Sequence, residues 1–478
     1  MNFLPCSRQL GAKAVVAALA AWAVAQSLAG AAPATAPLGG PGPADANWPA
    51  ARAAWKQLAG LDDPAARDKL LPASLDAIGH DPNDVRRLIA TDDAYDPIGP
   101  GPREQTVQIA DAAKKYDVSF TVVAPSGYRP DKPWPVLLAA HGQHGDGRSF
   151  ARTASRLLGA DADKYIIVAP TLPGAREYSG KSYQEQAYLQ PLSWVRRHMN
   201  VDDDRVYVTG YSMGGHSAWH LATLFPRQFA AAVAMAGTPW FQGAPHTANL
   251  YLENLSPLAF WSIWGELDRP APPAIGQVQF NRAAAARLGD LHNTRFRGTE
   301  LPGVGHDDCY PSPREFAAFL AGAKRQPMPA KFSHVFHLQH HARGYYLEAV
   351  TLAAQPMRMD QRIRVSFDHN PTPEESDRKM EEYFRRFLFS FSAELDRQAN
   401  TLTITLKGVR TVRLYVMDGM FDLAKPITLR VGTRTWKGLV PASAECMLKH
   451  YADDRDASAI IVNEVDLDST GRAVIRYK

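Results

Sequence analysis

The fold of this chain can be inferred from one stretch, Arg205-Val-Tyr-Val-Thr-Gly-Tyr-Ser-Met-Gly-Gly-His-Ser-Ala-Trp-His-Leu-Ala222. An apolar, strand-like run leads into a Gly-x-Ser-x-Gly motif, and a helix-like run follows it. On such a strand–turn–helix unit the serine hydroxyl stands exposed, because Gly210 and Gly214 let the backbone turn tightly. The free N–H of Met213, at the start of the helix, can face a developing oxyanion. The stretch therefore predicts that Ser212 is a catalytic nucleophile.

The surrounding segment, residues 105–326, alternates strand-like and helix-like patterns. Several of its strands are continuous apolar runs, as in parallel strands that are buried on both faces. We therefore predict an α/β fold with an open, mostly parallel sheet and flanking helices, and a site beyond the carboxyl ends of the strands. The predicted strands are 117–123, 136–140, 166–169, 206–209, 230–234, 259–264 and a weaker one at 294–297, and the predicted helices are 149–158, 183–199, 212–225, 276–288 and 312–323.

The pattern changes on either side of this segment. Residues 47–104 predict a mostly helical extension, and residues 32–46 a Pro/Gly/Ala linker. From residue 330 to 478 apolar and polar residues alternate between turn residues, which predicts a mainly antiparallel β-rich domain. Its predicted strands are 343–350, 363–367, 401–406, 411–416, 427–431 and 459–465, with a helix at 374–387.

The first 31 residues have the features of a secretory signal peptide. Arg8 and Lys13 form a basic region, an apolar run follows at 14–25, and Ala29-Gly30-Ala31 fits the small-x-small cleavage rule. The apolar run is short for a membrane-spanning helix, although an uncleaved anchor is the alternative. We expect an exported chain, periplasmic or extracellular, with no membrane span after cleavage.

Charge and cysteine content bear on partners and compartment. The net charge is +4, and +2 without the leader's two basic residues, which argues against a nucleic-acid or anionic membrane partner. Beyond the leader the chain has two cysteines, Cys309 and Cys446. Exported proteins often contain disulfides, and the sequence leaves open whether these two cysteines pair.

Two loops downstream of Ser212 carry the groups that its chemistry requires. A serine hydroxyl is a weak nucleophile and needs a general base and an orienting acid. An apolar run ends in Gly265-Glu-Leu-Asp268, where Asp268 is the candidate acid and Glu266 the alternative. A glycine-rich loop before the last helix carries His306, the candidate base. The chain order Ser, Asp, His is the order that this type of sheet uses.

The loop after predicted strand 136–140 offers a second oxyanion donor. There the chain reads His141-Gly-Gln-His-Gly145, and the Gln143 N–H is the candidate partner of the Met213 N–H, with Gly142 allowing a close approach. His141 is better suited to packing and hydrogen bonding in this loop than to acid–base work. Aromatic residues near strand ends are candidate pocket walls, with ordinary packing as the alternative: Tyr178, Tyr183, Tyr211, Trp240 and Phe241.

Two clusters contain metal-binding residue types. Asp202-Asp-Asp204 lies in a predicted turn before a strand. Four histidines near the start of the β-rich domain do not keep to one face of a strand, which argues against a shared ion. These are His334, His337, His340 and His341. We predict no metal and no organic cofactor, since neither is needed for a serine-based mechanism.

These motifs resemble those of the α/β-hydrolases. The resemblance rests on His141-Gly142, Asp202–Gly215, Gly265-x-x-Asp268 and Gly305-His306, and covers roughly residues 110–325. Within that superfamily the chain is most similar to a secreted esterase branch, which includes polyhydroxybutyrate depolymerase-like and feruloyl or acetylxylan esterases. Catalytic domains of the prolyl-oligopeptidase type are neighbours. The resemblance implies a serine hydrolase with Ser212, His306 and Asp268 as its triad.

The expected function is hydrolysis of a carboxylic ester, either small or polymeric, with polysaccharide acyl esters and aliphatic polyesters as candidate substrates. A serine peptidase of the prolyl-oligopeptidase type is the first alternative, because the same triad cleaves amides; the chain shows no N-terminal propeller-like repeats. A non-catalytic binding module on the hydrolase fold is the second alternative. Such modules usually lack a triad member, whereas this chain offers all three.

Overall fold

The computed structural model describes residues 48–111, 114–173, 181–239, 245–268, 277–356 and 366–477. The predicted signal peptide and linker, residues 1–46, lie outside the described residues. Within the described part, none of the helices combines the length and apolar character needed to cross a membrane. Residues Asn47–Lys478 form one compact unit.

An eight-stranded sheet forms the centre of the α/β part. Its strands are β1 Gly101–Asp111, β2 Lys114–Ala124, β3 Trp134–Ala140, β4 Ile166–Pro170, β5 Val201–Tyr211, β6 Ala231–Met235, β7 Ala259–Gly265 and β8 Phe296–Leu301. The spatial order is β1-β2-β4-β3-β5-β6-β7-β8. β1 and β2 pair antiparallel, as do β2 and β4, and all later pairs are parallel. The predicted α/β fold with a mostly parallel sheet is confirmed.

Several helices begin at a capping residue that the sequence supplies. Asp63 and Asp81 each cap a helix that has proline in its first turn, and Asp146 accepts a hydrogen bond from the Ser149 N–H. The helices up to the end of the α/β part are α1 Trp48–Ala59, α2 Pro64–Ile78, α3 Pro82–Ala90, α4 Gly147–Leu158, α5 Ser182–His198, α6 Met213–Leu224, α7 Gln277–Asp290 and α8 Pro313–Ala321.

Two details of the sheet differ from the sequence prediction. β1 begins at Gly101, inside the segment predicted as a helical extension, because its sequence Gly-Pro-Arg-Glu-Gln-Thr-Val-Gln-Ile-Ala-Asp is that of a polar edge strand without an apolar run. Residues 202–204 lie in β5 and not in a turn. The Asp203 carboxylate is buried there and lies 2.7 Å from the Arg196 guanidinium, which compensates its charge.

The C-terminal part contains two five-stranded sheets and two helices. The elements are β9 Lys331–Phe336, β10 Arg343–Gly344, β11 Leu347–Leu352, α9 Pro373–Arg385, β12 Phe389–Asp396, β13 Thr401–Lys407, β14 Val409–Met417, β15 Ile427–Val431, β16 Arg434–Gly438, α10 Ala444–Asp454, β17 Ile461–Asp468 and β18 Ala473–Ile475. The strand orders are β10-β11-β14-β17-β18 and β16-β15-β13-β12-β9. Pairing is antiparallel except between β13 and β15, in agreement with the predicted mainly antiparallel part. Of the predicted strand 363–367, residues 363–365 lie outside the described residues.

The N-terminal helices α1–α3 share one apolar core with the C-terminal sheets. A buried ion pair lies inside that junction: Arg455 Nη2 is 2.7 Å from Asp92 Oδ2, and the two side chains are 0% and 2% exposed. Asp92 also accepts hydrogen bonds from Trp55 Nε1 at 2.7 Å and from the Tyr451 hydroxyl at 2.8 Å. This carboxylate therefore joins α1 to α10.

We expect Asp92→Ala to lower the free energy of unfolding by about 3–5 kcal/mol, because it leaves the Arg455 charge buried without its partner. Asp93→Ala is the matched control. Asp93 pairs with Arg52 and Lys56 at the surface, its side chain is 42% exposed, and its loss should cost about 0–1 kcal/mol. Urea unfolding of both variants measures the difference. Equal stability of the two variants would contradict this account of the junction.

Candidate active site

Ser212 lies between the end of β5 and the first residue of α6, with φ 57° and ψ −117°. A positive φ is rare for a residue with a side chain, so neighbouring groups must hold it. The Ser212 N–H donates to the Met235 carbonyl on β6 at 2.9 Å, and its carbonyl accepts from the His216 N–H at 3.0 Å. The turn therefore has the conformation of a nucleophile elbow at the carboxyl end of a central strand.

The two motif glycines are required by close backbone contacts. A Cβ atom on Gly210 would lie 2.0 Å from the Gly214 carbonyl oxygen. A Cβ atom on Gly214 would lie 1.9 Å from the Ala140 carbonyl oxygen, at the end of β3. Any side chain at either position would therefore separate the helix from the sheet.

We expect Gly214→Ala to destabilise the fold by about 3 kcal/mol or more, because backbone and not a flexible side chain meets the added methyl group. Gly289→Ala, on helix α7, is the control: nothing lies within 4 Å of its added Cβ, and the change should stabilise the helix by about 0.5–1 kcal/mol. Thermal unfolding and soluble yield measure both. A Gly214→Ala protein as stable as the parent would contradict the close approach.

The structure brings together Ser212, His306 and Asp268. His306 Nε2 is 2.8 Å from the Ser212 Oγ, and its Nδ1 is 3.0 Å from the Asp268 Oδ1. Asp268 is 2% exposed, while the His306 side chain is 35% exposed. Because a carboxylate only accepts hydrogen bonds, the imidazole proton lies on Nδ1 and Nε2 is left to accept from the serine hydroxyl. This is the arrangement that activates a serine for attack.

Neighbouring parallel strands position the acid and the base. Asp268 follows β7, and His306 lies in the loop after β8, the strand beside it. Backbone hydrogen bonds tie the loops together: the Glu266 N–H donates to the Leu301 carbonyl at 3.0 Å, and the Leu267 N–H donates to the Val304 carbonyl at 2.9 Å. The distance between Asp268 and His306 is therefore set by paired backbone.

Glu266, the alternative acid, points elsewhere. Its Oε2 accepts a hydrogen bond from the Gly303 N–H at 2.9 Å and so holds the turn after β8. In this structure Asp268, and not Glu266, is the carboxylate that contacts the His306 imidazole.

Two stacked tyrosines, Tyr211 and Tyr310, lie beside the His306 loop, and one of them binds the His306 backbone. The Tyr211 hydroxyl donates to the His306 carbonyl oxygen, and the Tyr211 ring stacks on Tyr310 with centroids 4.6 Å apart. The sequence interpretation did not single out Tyr310. The one signal in the sequence that could have placed Tyr310 near the site was its position four residues after His306. The hydrogen bond with Asp268 raises the pKa of His306 above its ordinary value, burial opposes the shift, and the negative charge of Asp268 adds to it.

The residues of the two predicted oxyanion donors lie at the start of α6 and in the loop after β3. Met213 is the first residue of α6. A Cβ atom on Gly142 would lie 3.6 Å from the Ser212 Cβ, so the loop after β3 approaches the serine closely. Gln143, the next residue, is exposed. The roles of the Met213 and Gln143 N–H groups stay predictions.

His141 links two loops by hydrogen bonds. Its Nδ1 is 2.7 Å from the Gly142 carbonyl oxygen, and its Nε2 accepts from the Leu172 N–H at 3.1 Å. These partners place the proton on Nδ1, and burial lowers the pKa of the imidazole. A neutral, fully engaged His141 joins the loops that follow β3 and β4.

The predicted pocket walls fall in different places. Tyr178, Trp240 and Phe241 lie outside the described residues. Tyr183, at the start of α5, stacks on Tyr116 of β2 with ring centroids 4.8 Å apart. Tyr211 lies beside the candidate base, with its ring centroid 5.7 Å from that of His306.

The two cysteines beyond the leader are buried and free. The Cys309 Sγ donates to the Gly305 carbonyl at 3.0 Å, in the loop that carries His306. Burial and the nearby Asp268 charge raise the pKa of Cys309 to about 12. The structure therefore gives Cys309 a packing role, and the disulfide that the sequence left open is not formed.

The two sequence clusters with metal-binding residue types have different surroundings in the structure. Arginine side chains lie next to the carboxylates of the run 202–204, at 2.6 Å for Arg205 and Asp202 and at 3.7 Å for Arg325 and Asp204. Of the four histidines, His341 lies close to two residues that the sequence interpretation did not consider, Glu185 and His220. Their separation along the chain hid this association.

Part of the chain is similar to known esterases and to a dipeptidyl-peptidase. Residues 112–271 match the family model described as "Putative esterase". Acetylxylan esterase A of Emericella nidulans is 25% identical over 161 residues, which are 31% of this chain and 50% of that protein. Dipeptidyl-peptidase 5 of Porphyromonas gingivalis is 29% identical over 131 residues, which are 24% of this chain and 19% of that protein.

A bifunctional acetylxylan esterase/xylanase of Neocallimastix patriciarum is 28% identical over 123 residues, which are 24% of this chain and 17% of that protein. The matched region thus spans half or less of each of these relatives. Among solved structures, that of a ferulic acid esterase is 16% identical to this chain, with a TM-score of 0.38. The match covers 47% of this chain and 98% of the esterase chain.

Proposed function

We propose that this chain, an esterase-like α/β-hydrolase by its sheet order and its family match, hydrolyses carboxylic esters with Ser212 as nucleophile. The family match agrees with the resemblance predicted from the sequence motifs. The observation that carries the proposal is the continuous hydrogen-bonded line from Ser212 through His306 to Asp268. A serine hydroxyl alone is unreactive toward esters, and this line supplies the base and the orienting acid that it lacks.

In the proposed mechanism the Ser212 oxygen attacks the ester carbonyl carbon while its proton passes to His306 Nε2. Asp268 stabilises the resulting imidazolium through Nδ1–H. The Met213 and Gln143 N–H groups bind the oxyanion, a contribution of about 3–4 kcal/mol for each donor. His306 then gives its proton to the departing alcohol, which leaves an acyl-enzyme. Water repeats the sequence: its proton goes to His306 and then back to Ser212 as the acid departs.

Acyl esters of polysaccharides are the substrates that we favour, and acetyl esters of xylan come first. Two of the relatives described above are acetylxylan esterases by name. Aliphatic polyesters are the other ester candidate. The similarity to a dipeptidyl-peptidase keeps amide hydrolysis as the alternative function.

Turnover of a substrate panel tests the proposal. The panel contains 4-nitrophenyl esters of rising chain length, acetylated xylan, methyl ferulate, an aliphatic polyester and a dipeptidyl 4-nitroanilide. We expect ester turnover to exceed amide turnover, with the highest kcat/KM among short acyl groups. Faster amide cleavage would favour the peptidase. A protein that turns over none of these substrates and does not react with a fluorophosphonate would favour the non-catalytic binding module.

We expect the pH dependence of kcat/KM to show an acid limb whose midpoint lies above about 6.5, the ordinary pKa of histidine. The base acts as neutral imidazole, so activity falls as pH drops through the pKa of His306, and the hydrogen bond with Asp268 raises that pKa. Initial rates with a non-ionising ester between pH 4 and 9 measure the limb. A midpoint below 6.5 would contradict this assignment of the base.

We also propose that the protein is exported, as its leader predicts. A polymeric substrate cannot enter a cell, so an esterase for polysaccharides or polyesters must meet it outside. The proposed export and the proposed substrate class are therefore consistent with each other.

A further inference from the structure

A second cluster of polar groups is buried where helices α5 and α6 meet the C-terminal part. It consists of Glu185 on α5, His220 on α6 and His341 in the short turn before β10, each 2–3% exposed. Glu185 Oε1 lies 2.5 Å from His220 Nε2 and 2.8 Å from His341 Nε2. These three ligand atoms all lie within 4.8 Å of one another.

The three residues lie at hydrogen-bond distances, and they are also a donor set that suits a metal ion. Two imidazole nitrogens converge on the same carboxylate oxygen in a place without solvent. Two histidines and one carboxylate form a donor set that zinc takes in proteins, with bonds of about 2.0–2.2 Å and therefore ligand atoms roughly 3.3 Å apart. The two contacts of Glu185 Oε1 would need to open by about 0.5–0.8 Å to accept such an ion.

We propose that Glu185, His220 and His341 bind one divalent transition-metal ion of the zinc class. The donor atoms are Glu185 Oε1, His220 Nε2 and His341 Nε2. His340 supports the set from the side that faces solvent, because its Nε2 lies 3.1 Å from Glu185 Oε2. A hydrogen bond to the second oxygen of a ligating carboxylate fixes its orientation, as outer partners do at many zinc sites.

A divalent ion at this point would offset the charge of the Glu185 carboxylate, which is buried in the interior.

The position of the cluster indicates a structural role. His220 lies on α6, eight residues after Ser212, which directly precedes that helix. This separation corresponds to about 12 Å along the helix axis, so the ion stays away from the reacting atoms. A small apolar cluster lies at the same junction and includes Leu224 of α6, Val335 of β9 and Phe384 of α9. Asn254 bonds both the Thr223 carbonyl and the Val335 backbone there. The ion would fasten the helix behind the elbow to the C-terminal sheets.

Metal content and stability of the full chain test the proposal. Protein is stripped with a chelator, dialysed, and loaded with Zn²⁺ or Co²⁺. We expect about one Zn²⁺ per chain by elemental analysis, a visible d–d absorption band with Co²⁺, and a Tm that rises by about 3 °C or more once the ion concentration exceeds its Kd by a hundredfold. Less than about one tenth of an equivalent, with a Tm independent of Zn²⁺, would overturn the proposal in favour of a hydrogen-bonded clamp.

Variants locate the ion. Glu185→Gln and the double variant His220→Gln/His341→Gln should lose the bound equivalent and the Zn²⁺-dependent Tm shift. His80→Gln is the matched control, since His80 also contacts a carboxylate, Asp76, at 3.0 Å, but on the surface. Full metal binding by the double variant would place the ion elsewhere and overturn the assignment. If the variants fail to fold, metal content and the Co²⁺ spectrum of the unmodified chain decide the question.

Discussion

Ser212→Ala is expected to lower kcat for ester hydrolysis by about 10⁶-fold, the loss seen when a triad serine is removed from other hydrolases. The reason is chemical: the Ser212 Oγ, 2.8 Å from His306 Nε2, is the atom that would form the acyl-enzyme. The fold should be unaffected, because alanine meets the same backbone conformation as serine at this position. Initial rates on a 4-nitrophenyl ester and thermal unfolding measure the two effects.

The control for this variant is Ser155→Ala. Ser155 lies on α4, where its hydroxyl donates to the Ala151 carbonyl at 3.0 Å and takes no part in the line to His306. It should keep activity within a few fold of the parent. Ester turnover that persists in the Ser212→Ala protein would exclude Ser212 as the nucleophile and with it the proposed mechanism.

Asp268→Asn is expected to lower kcat by about 10⁴-fold while leaving the protein folded. An amide in place of the carboxylate can donate to His306 Nδ1, which moves the imidazole proton to Nε2. The nitrogen that faces Ser212 can then no longer accept its proton. The acid limb of the pH profile should also move to lower pH, because the hydrogen bond that raises the pKa of His306 is lost.

Glu266→Gln is the matched control for that variant, and it also tests the acid that the sequence left as the alternative. Glu266 accepts from the Gly303 N–H at 2.9 Å, a bond that the glutamine side-chain oxygen can keep. Activity within a few fold of the parent is the expected result. A large loss in Glu266→Gln beside an active Asp268→Asn would exchange the two roles.

The sequence allowed the α/β part to be predicted because its signals are local. Buried parallel strands such as β3 and β6 are continuous apolar runs, and the turn between β5 and α6 is specified by glycines two residues on either side of Ser212. Strand β1 was missed because its polar sequence has no such run. Helix α10 and strands β9, β12, β16 and β18 were missed as well. Strand β9, for example, pairs with β12, a distant segment of the chain.

The sequence by itself therefore determined the fold class and the elbow, and it put forward Asp268 and His306 as residues past strand ends. Only the tertiary structure decided which carboxylate contacts His306, because Glu266 and Asp268 lie in the same loop and the Gly303 N–H after β8 binds Glu266 instead. Tertiary packing alone also brought Tyr211 onto the His306 loop and placed Glu185 beside His341, 156 residues further along the chain. The physical reason is the distance along the chain over which the deciding interactions act. A tight turn is set by the few residues within it, whereas a contact between distant segments is set by the packing of everything between them.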